Sequence, residues 1–331
     1  MGDHEERASD HRNIYVYIHT DSGMILYVAL AFVLTLMLVP GISQFMKRHS
    51  ITGEDVHKSL KPEIPEMGGL SYVFSLSVVL FMAFILLHSP LYVGALSVLL
   101  LTALIGAYDD LRGLNQSHKV LYTCIAGIPL LFFVEDTTID FFVVSLDFSW
   151  AYYFLVLMGV AACSNATNIL AGFNGEEAGL GAIAAGSLGM CSIILGREEP
   201  QLLLFSLCAS LLAFLIFNKF PAFIFPGDIG TLPIGGLIAA SVVLGKMELL
   251  GVIALLPAII EFFLKMGVWF KGKEYGPTQV VKGRLIPPPY LSVANFFTKR
   301  FNLTEKILVY MLWTLGGVCG LIVIFLSFVM I

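Results

Sequence analysis

The chain has 331 residues, of which 57% are hydrophobic and only 13% charged, and its mean hydropathy is +0.86. A soluble domain carries charge on about a quarter of its residues, so a soluble globular fold is excluded, and with it a disordered, collagenous or disulfide-scaffolded chain. The formal net charge of −5 offers no basic field for nucleic acid.

Taken in order, the first 23 residues are polar and include Asp3, Glu5, Glu6 and Asp10. They lack the basic start and early apolar core of a cleavable signal peptide, so entry to the membrane is expected from the first span itself. Span 1 is predicted at Met24–Met46, and a 42-residue uncharged stretch from Met67 to Tyr108 is split into spans 2 and 3 by His88-Ser89-Pro90. Further spans are predicted at Val120–Val134, Ser149–Leu170, Ala178–Gly196, Gln201–Phe217, Ile229–Gly245, Leu249–Phe270 and Ile307–Ile331. The expectation is an all-α polytopic membrane protein of ten helices forming a single domain over 1–331, with a polar tail at 1–23 and a long loop at 271–305. Continuous apolar runs fit helices, because a membrane barrel alternates over about ten-residue segments.

Of the 19 Lys and Arg, 14 fall in the loops after spans 1, 3, 5, 7 and 9. That side is read as cytoplasmic by the positive-inside rule, so both termini are expected to face outward. The opposite loop from Glu135 to Asp147 has four acids and no base. Sequons at Asn115, Asn165 and Asn302 lie on the inner side or its membrane edge and are read as chance. Cys124, Cys163, Cys191, Cys208 and Cys319 stand apart in apolar surroundings and are read as packing residues.

Five inner loops carry the unusual polar residues. The first holds Gly53-Glu54-Asp55-Val56-His57-Lys58 and then Lys61-Pro62-Glu63-Ile64-Pro65-Glu66-Met67-Gly68-Gly69, where two prolines fix an extended path and paired glycines permit close approach. The second is Asp109-Asp110-Leu111-Arg112, with Lys119 further on. Adjacent carboxylates at a membrane surface need water, a base or a metal to compensate them. A hard cation such as Mg²⁺ takes one or two carboxylates and completes its shell with waters and phosphates; the plain alternative is a helix-end pair with Arg112 and Lys119 as counterions.

The third loop, from Asn165 to Gly179, has three amides and two acids but no base; Asn165 and Asn168 share a helix face, and Gly172 and Gly175 break the helix. Such amides either bond neighbouring helices or contact a ligand, and so many in one turn favour the ligand. In the fourth, Phe225-Pro226-Gly227-Asp228-Ile229-Gly230 puts one acid between glycines at a helix start, either a cap or a metal ligand with room for a diphosphate. The fifth clusters Lys271, Lys273, Lys282, Arg284, Lys299 and Arg300 around Pro287-Pro288-Pro289, read as topology charge or, for Lys282 and Arg284, as a basic lid over an anionic substrate. Within span 9, Glu261 and Lys265 stand four apart and are expected to neutralise each other.

Four of these motifs in this order, 61–69, Asp109-Asp110 with Lys119, Asn-Ala-Thr-Asn-Ile-Leu-Ala-Gly-Phe-Asn-Gly at 165–175 and Phe-Pro-Gly-Asp-Ile-Gly at 225–230, resemble the polyprenyl-phosphate N-acetylhexosamine-1-phosphate transferases. Asn-Ile-Leu-Ala-Gly with Asn-Gly and Glu-Ala-Gly is more similar to the archaeal and eukaryotic UDP-GlcNAc:dolichyl-phosphate enzymes than to the bacterial muramoyl-pentapeptide ones. The fifth-loop histidine motifs of both groups are absent, since no histidine follows His118.

The resemblance implies ten helices, outward termini, a cytoplasmic active site and transfer of GlcNAc 1-phosphate from UDP-GlcNAc to dolichyl or another polyprenyl phosphate, with release of UMP. That is the first step of lipid-linked glycan assembly for N-glycosylation. It implies Mg²⁺, with Mn²⁺ as a substitute, held by Asn168 and Asp228; Asp109 and Asp110 near the lipid phosphate; and Lys119 on phosphate. Glu66 and Asn174 are implied on the donor side, and Lys61, Asn165, Lys282 and Arg284 complete the candidate substrate contacts. The membrane would be the cell membrane of an archaeon or the endoplasmic reticulum of a eukaryote, and a homodimer is compatible with the pattern. The alternatives are the same reaction with another UDP-HexNAc or with undecaprenyl phosphate, and, from another class, a cation-coupled transporter, which predicts acids at mid-membrane and inverted repeats. Direct attack by the lipid phosphate is favoured over a covalent route through Asp109 or Asp110.

Overall fold

A computed structural model of the chain describes residues 3–56, 58, 61–142, 144–170, 172–269, 278–287 and 290–330, with the side chains of 23–265 and 278–330 among them. His57, Lys271, Lys273, Pro288 and Pro289 lie outside the described residues. Helix dominates, as the uncharged runs require: in a bilayer the backbone must satisfy its own hydrogen bonds, and a helix does so within one segment.

Among the described residues, seven helices are long and apolar enough to cross a membrane. They are α1 (Asp3–Arg48, through its stretch Gly23–Arg48), α2 (Leu70–Leu87), α3 (Leu91–Arg112), α5 (Trp150–Leu170), α6 (Glu176–Ile194), α7 (Glu198–Asn218) and α12 (Glu305–Ser327). The break between α2 and α3 falls at His88, in left-handed conformation, with Pro90 just before α3. Leu26, Phe81, Leu104, Phe154, Leu321 and Phe325 are all exposed on these helices. An apolar surface of this extent suits lipid rather than water.

Two predicted spans, the fourth and the ninth, are interrupted, and a third, the eighth, is continuous but short and enclosed. The fourth is an α-helix, α4 (Gln116–Ala126), followed by a 3₁₀ turn at Ile128–Phe133, because Gly127 and Pro129 interrupt the run. The ninth is two pieces, α9 (Glu248–Ala254) and α10 (Leu256–Trp269). Pro257 lacks the N–H that a continuing helix would use, so the junction at Leu255 is where the chain yields. The eighth, α8 (Asp228–Leu244), has 17 residues and is enclosed: every residue from Ile229 to Val243 is buried. It packs against α3, α5 and α7, while α6 packs on α7 and α12.

Small residues allow α8 its central place. A Cβ added at Gly106 of α3 would lie 2.2 Å from the Asp228 carbonyl oxygen, so only glycine admits the start of α8 this close. The remaining elements are short hairpins. β1 (Thr52–Glu54) pairs antiparallel with β2 (Glu63–Pro65), β3 (Thr138–Phe141) with β4 (Val144–Asp147), and β5 (Val280–Val281) with β6 (Arg284–Leu285). A short helix, α11 (Val293–Arg300), capped by the Ser292 hydroxyl, precedes α12.

At one end of the bundle, Lys246 binds the carbonyl oxygens of Asp136 and Thr138 and lies 4.6 Å from the Tyr152 ring centre, so it fastens the β3–β4 hairpin. Glu261 and Lys265 pair at 3.1 Å as expected, and Lys265 also donates to the Ile169 carbonyl. All five cysteines are unpaired.

Candidate active site

The motifs of the first and fourth inner loops are joined through their backbones. Phe225 N–H donates to Pro65 O, Gly68 N–H to Phe225 O and Gly69 N–H to Pro226 O, each at 2.8 Å. A Cβ at Gly69 would stand 2.2 Å from the Gly230 Cα, which explains the paired glycines ahead of α2 as a place of close approach. Gly227 follows with φ +68, a left-handed conformation that costs glycine nothing. It turns the chain so that Asp228 begins α8.

Asp228 meets residues from three other elements. Lys119 Nζ, at the start of α4, lies 2.6 Å from Asp228 Oδ2 and also pairs with Asp109 at the end of α3. Asn168, in the last turn of α5, donates through Nδ2 to Asp228 Oδ1 at 2.7 Å and to Thr231 Oγ1 at 2.8 Å, while its Oδ1 faces Lys119 Nζ at 3.4 Å. Asp110 stands behind this group: its two oxygens accept the backbone N–H groups of Asp228 and Ile229. The other Asp109 oxygen accepts the Leu114 N–H at 2.6 Å, which curls the loop between α3 and α4. Lys119 is 7% exposed, so its ammonium is committed to these carboxylates rather than to water.

A cavity of about 210 Å³ adjoins this cluster, walled by Glu66, Asn174, Glu177, Asn218, Phe225 and Asp228 among others. Burial, and then the charge of Asp110, raise the Glu66 carboxyl above the usual range. Asn174 is buried; its side chain donates to Asp55 at 3.0 Å and its backbone N–H to Glu305 at 2.9 Å. On the other flank, an apolar groove of about 520 Å³ runs between α3 and α4, lined by Leu101, Leu104, Tyr108, Leu114, Tyr122 and Ile125. Tyr108 directly precedes Asp109, so groove and cluster share an edge.

The predicted residues thus separate into groups. Asp109, Lys119, Asn168 and Asp228 touch one another, Asp110 supports them, and Glu66 and Asn174 line the cavity. Asn165 is deeper, donating to Thr123 Oγ1 and Ala161 O at 2.8 Å, and ties α5 to α4. Lys61 is exposed, 3.7 Å from Glu54. Lys282 and Arg284 are exposed and do not line the cavity; Lys282 occupies the turn of the β5–β6 hairpin with φ +49, and Arg284 donates to the Asn302 carbonyl. Among the described residues neither side chain bonds to the cluster around Lys119. Asp55, Asn218 and Glu305 were not singled out from sequence. Their loops or helix ends carry no spacing that distinguishes them from solvated polar residues, and only the packing of α7 and α12 on α6 brings the last two inward.

Comparison with known proteins connects this geometry to a family. Residues 92–246 match the model of glycosyl transferase family 4, a stretch that includes Asp109, Asp110, Lys119, Asn165, Asn168, Asn174 and Asp228. A Methanocaldococcus jannaschii protein, provisionally named a glycosyltransferase, is 31% identical over 94% of this chain and 99% of its own. The chain belongs to glycosyl transferase family 4. A Saccharolobus solfataricus relative, provisionally named a UDP-N-acetylglucosamine–dolichyl-phosphate N-acetylglucosaminephosphotransferase, is 30% identical over 92% of this chain and 97% of its own. A phospho-N-acetylmuramoyl-pentapeptide-transferase of Streptococcus pneumoniae is 30% identical over 68% of this chain and 73% of its own. This family member is therefore a membrane-embedded phosphotransferase of the polyprenyl-phosphate hexosamine-1-phosphate type, as its four motifs imply.

Proposed function

We propose that this chain transfers GlcNAc 1-phosphate from UDP-GlcNAc to dolichyl phosphate or a related polyprenyl phosphate, giving a GlcNAc-diphospho-lipid and UMP, and so begins lipid-linked glycan assembly for N-glycosylation. The observation that carries this reading is the cluster of Asp109, Lys119, Asn168 and Asp228 between a polar cavity and an apolar groove. A nucleotide sugar is polar throughout, whereas a polyprenyl phosphate has one anionic head on a long apolar tail. Those two shapes match the two flanks.

Mg²⁺, or Mn²⁺ in its place, fits the donor set. Asp109, Asp110 and Asp228 outnumber the single ammonium of Lys119, and Asp228 with the Asn168 amide oxygen provides hard oxygen donors of the kind Mg²⁺ accepts while it retains waters and phosphates. Asp228 and Asn168 would hold the ion, which supplies neutralising charge to a diphosphate.

The chain's own groups account for the rest. The acceptor phosphate has a second pKa of about 6, so at neutral pH it is largely dianionic and needs little help in losing a proton. One of its oxygens forms a bond to the phosphorus that bears the sugar, while the bond from that phosphorus to the bridging oxygen breaks and UMP leaves with the electron pair. Lys119 stabilises the charge that spreads over the transferred group, a positioning and electrostatic contribution as in other phosphoryl transfers. Asp109 orients Lys119 and receives any remaining acceptor proton. The basic inner loops support a cytoplasmic site, the side on which a nucleotide sugar is available.

The test is incubation of the purified protein with radiolabelled UDP-GlcNAc, Mg²⁺ and dolichyl phosphate. Labelled lipid formed in step with UMP is expected. Absence of labelled lipid, with turnover of another UDP-HexNAc or with undecaprenyl phosphate instead, would reassign the substrates.

A further inference from the structure

Residues 275–304 hold four bases, Lys282, Arg284, Lys299 and Arg300, and no acid. The function proposed above uses none of them. All four are exposed, and they belong to one small unit of the fold. The Leu285 N–H donates to the Leu303 carbonyl at 2.9 Å and Arg284 to the Asn302 carbonyl, so the β5–β6 hairpin is fastened to the segment that joins α11 to α12. At the other end of α11, the Val293 N–H donates to Glu261 of α10 at 2.6 Å.

Apolar side chains stand among these bases. Phe296 is 67% exposed and Leu291 63%, and Val281 and Phe301 are exposed too. At 100° per residue, Lys299 falls about 60° to one side of Phe296 on α11 and Arg300 about 40° to the other. The opposite face, with Ala294, Asn295 and Thr298, is buried. An aromatic ring flanked by two bases suits the surface of a bilayer: the ring enters the headgroup layer, while the aliphatic stems of the bases lie beside it and carry their charges out to phosphate.

The bilayer is within reach of this unit. On α12, Lys306 lies 5.8 Å from the Tyr310 ring centre and both are exposed, a base and an aromatic of the kind found where a spanning helix meets water. Arg300 precedes Lys306 by six residues, which cover at most about 20 Å of chain. Four bases without an acid, held this close to a spanning helix, complement negative headgroups, whereas neutral ones leave their charge unmatched. We infer that the β5–β6 hairpin and α11 form a docking surface for the anionic phospholipid headgroups of the adjacent leaflet. Phe296 enters the interface, and Lys282, Arg284, Lys299 and Arg300 face the lipid phosphates. The inference uses the membrane class of the chain and is independent of the substrates proposed for it.

The experiment attaches an environment-sensitive fluorophore at Phe296→Cys in the full-length protein without its native cysteines. The protein is embedded in nanodiscs of phosphatidylcholine alone or of phosphatidylcholine mixed with phosphatidylglycerol, and quenching by aqueous iodide is measured. Quenching is expected to be weaker in the anionic discs, and the difference should shrink at high salt. Changing Lys282, Arg284, Lys299 and Arg300 to Gln should remove it, each base lost lowering the ratio of docked to undocked surface about fivefold. Should the cysteine-free chain fail to fold, backbone hydrogen exchange of residues 291–302 in the unaltered protein, slower in anionic than in neutral discs, carries the same expectation. Protection that is equal in both kinds of disc, and kept by the four-Gln variant, would overturn the selection for anionic headgroups. Full exposure to iodide in both would overturn docking altogether and leave the surface to an acidic soluble partner.

Discussion

Asp110 holds the beginning of the helix on which Asp228 stands, its Oδ1 accepting the Asp228 N–H at 2.7 Å and its Oδ2 the Ile229 N–H at 3.0 Å. Asp109, one residue earlier, turns to Lys119. Successive residues of a helix point about 100° apart, so two adjacent carboxylates serve two different partners. Asp110→Ala removes a charged cap from α8 and is expected to cost about 1–2 kcal/mol, visible as a lower unfolding temperature, with turnover lost because Asp228 is misplaced. Asp110→Asn keeps one of the two acceptors but turns an amide donor towards the other N–H, so it should retain only part of that stability. A large loss of turnover in Asp110→Asn at unchanged unfolding temperature would give Asp110 a direct chemical part instead.

Lys119 separates Asp109 from Asp228, and its removal leaves two carboxylates facing each other. Lys119→Met is expected to destabilise by about 2–3 kcal/mol, below the usual figure for a fully buried pair because the Asp228 side chain keeps 28% of its exposure. Turnover should fall by about 100-fold or more. Lys119→Arg should not restore it, since a planar fork does not replace a compact ammonium between these oxygens. Steady-state rates and thermal unfolding of the two variants check this, and a near-normal rate in Lys119→Arg would contradict the assignment.

If Asp109 takes the acceptor's last proton, Asp109→Asn should regain rate as pH rises through about 6, where the lipid phosphate ionises unaided. A covalent role predicts no recovery, and a sugar-phosphate adduct with release of UMP before any lipid is added. Rapid-quench mass spectrometry with UDP-GlcNAc alone separates the two, and a stoichiometric adduct on Asp109 or Asp110 would end the direct-attack account.

Glu66 links stability to pH. Its carboxyl is raised by burial and by Asp110, so between its ordinary value and the raised one the folded chain holds more proton than the unfolded chain. Stability is then fully present below the ordinary carboxylate range and declines as pH rises through that window. Glu66→Gln, which cannot ionise, should therefore unfold at a higher temperature than wild type at pH 7, with the difference shrinking toward pH 4. Equal unfolding temperatures at both pH values would show that the Glu66 charge carries no cost.

The arrangement of basic loops predicts opposite exposure of the two ends of the bundle. On a background without native cysteines, Ser145→Cys on the β3–β4 hairpin should react with an impermeant reagent from outside sealed cells. Lys299→Cys in α11 should react only after permeabilisation. Reaction of both from one side would overturn the orientation.

The membrane class, most of the helix ends and the residues of the central cluster were legible in the sequence, for physical reasons that act locally. A run of apolar residues long enough to cross a bilayer has few alternatives, and His88-Ser89-Pro90 interrupts one such run wherever it is placed. Charged and amide residues at the rims of these runs, Asp109, Lys119, Asn168 and Asp228, stand out because their surroundings are so apolar. What the sequence did not determine depends on which helices become neighbours. Pro129 and Pro257 were visible, yet whether a helix bends or breaks at proline depends on the packing around it, and the fourth and ninth spans broke. Lys282 and Arg284 are basic residues beside prolines in the sequence, and only the fold places them on the exposed β5–β6 hairpin rather than among the residues that wall the cavity. Asp55, Asn218 and Glu305 lie far apart in the chain, and only the tertiary packing brings them to the cavity or to Asn174 beside it. Long-range proximity of this kind has no signature at any local period. The division of labour between Asp109 and Asp110 was likewise decided in three dimensions, because identical side chains on adjacent residues differ only in what the fold places before them.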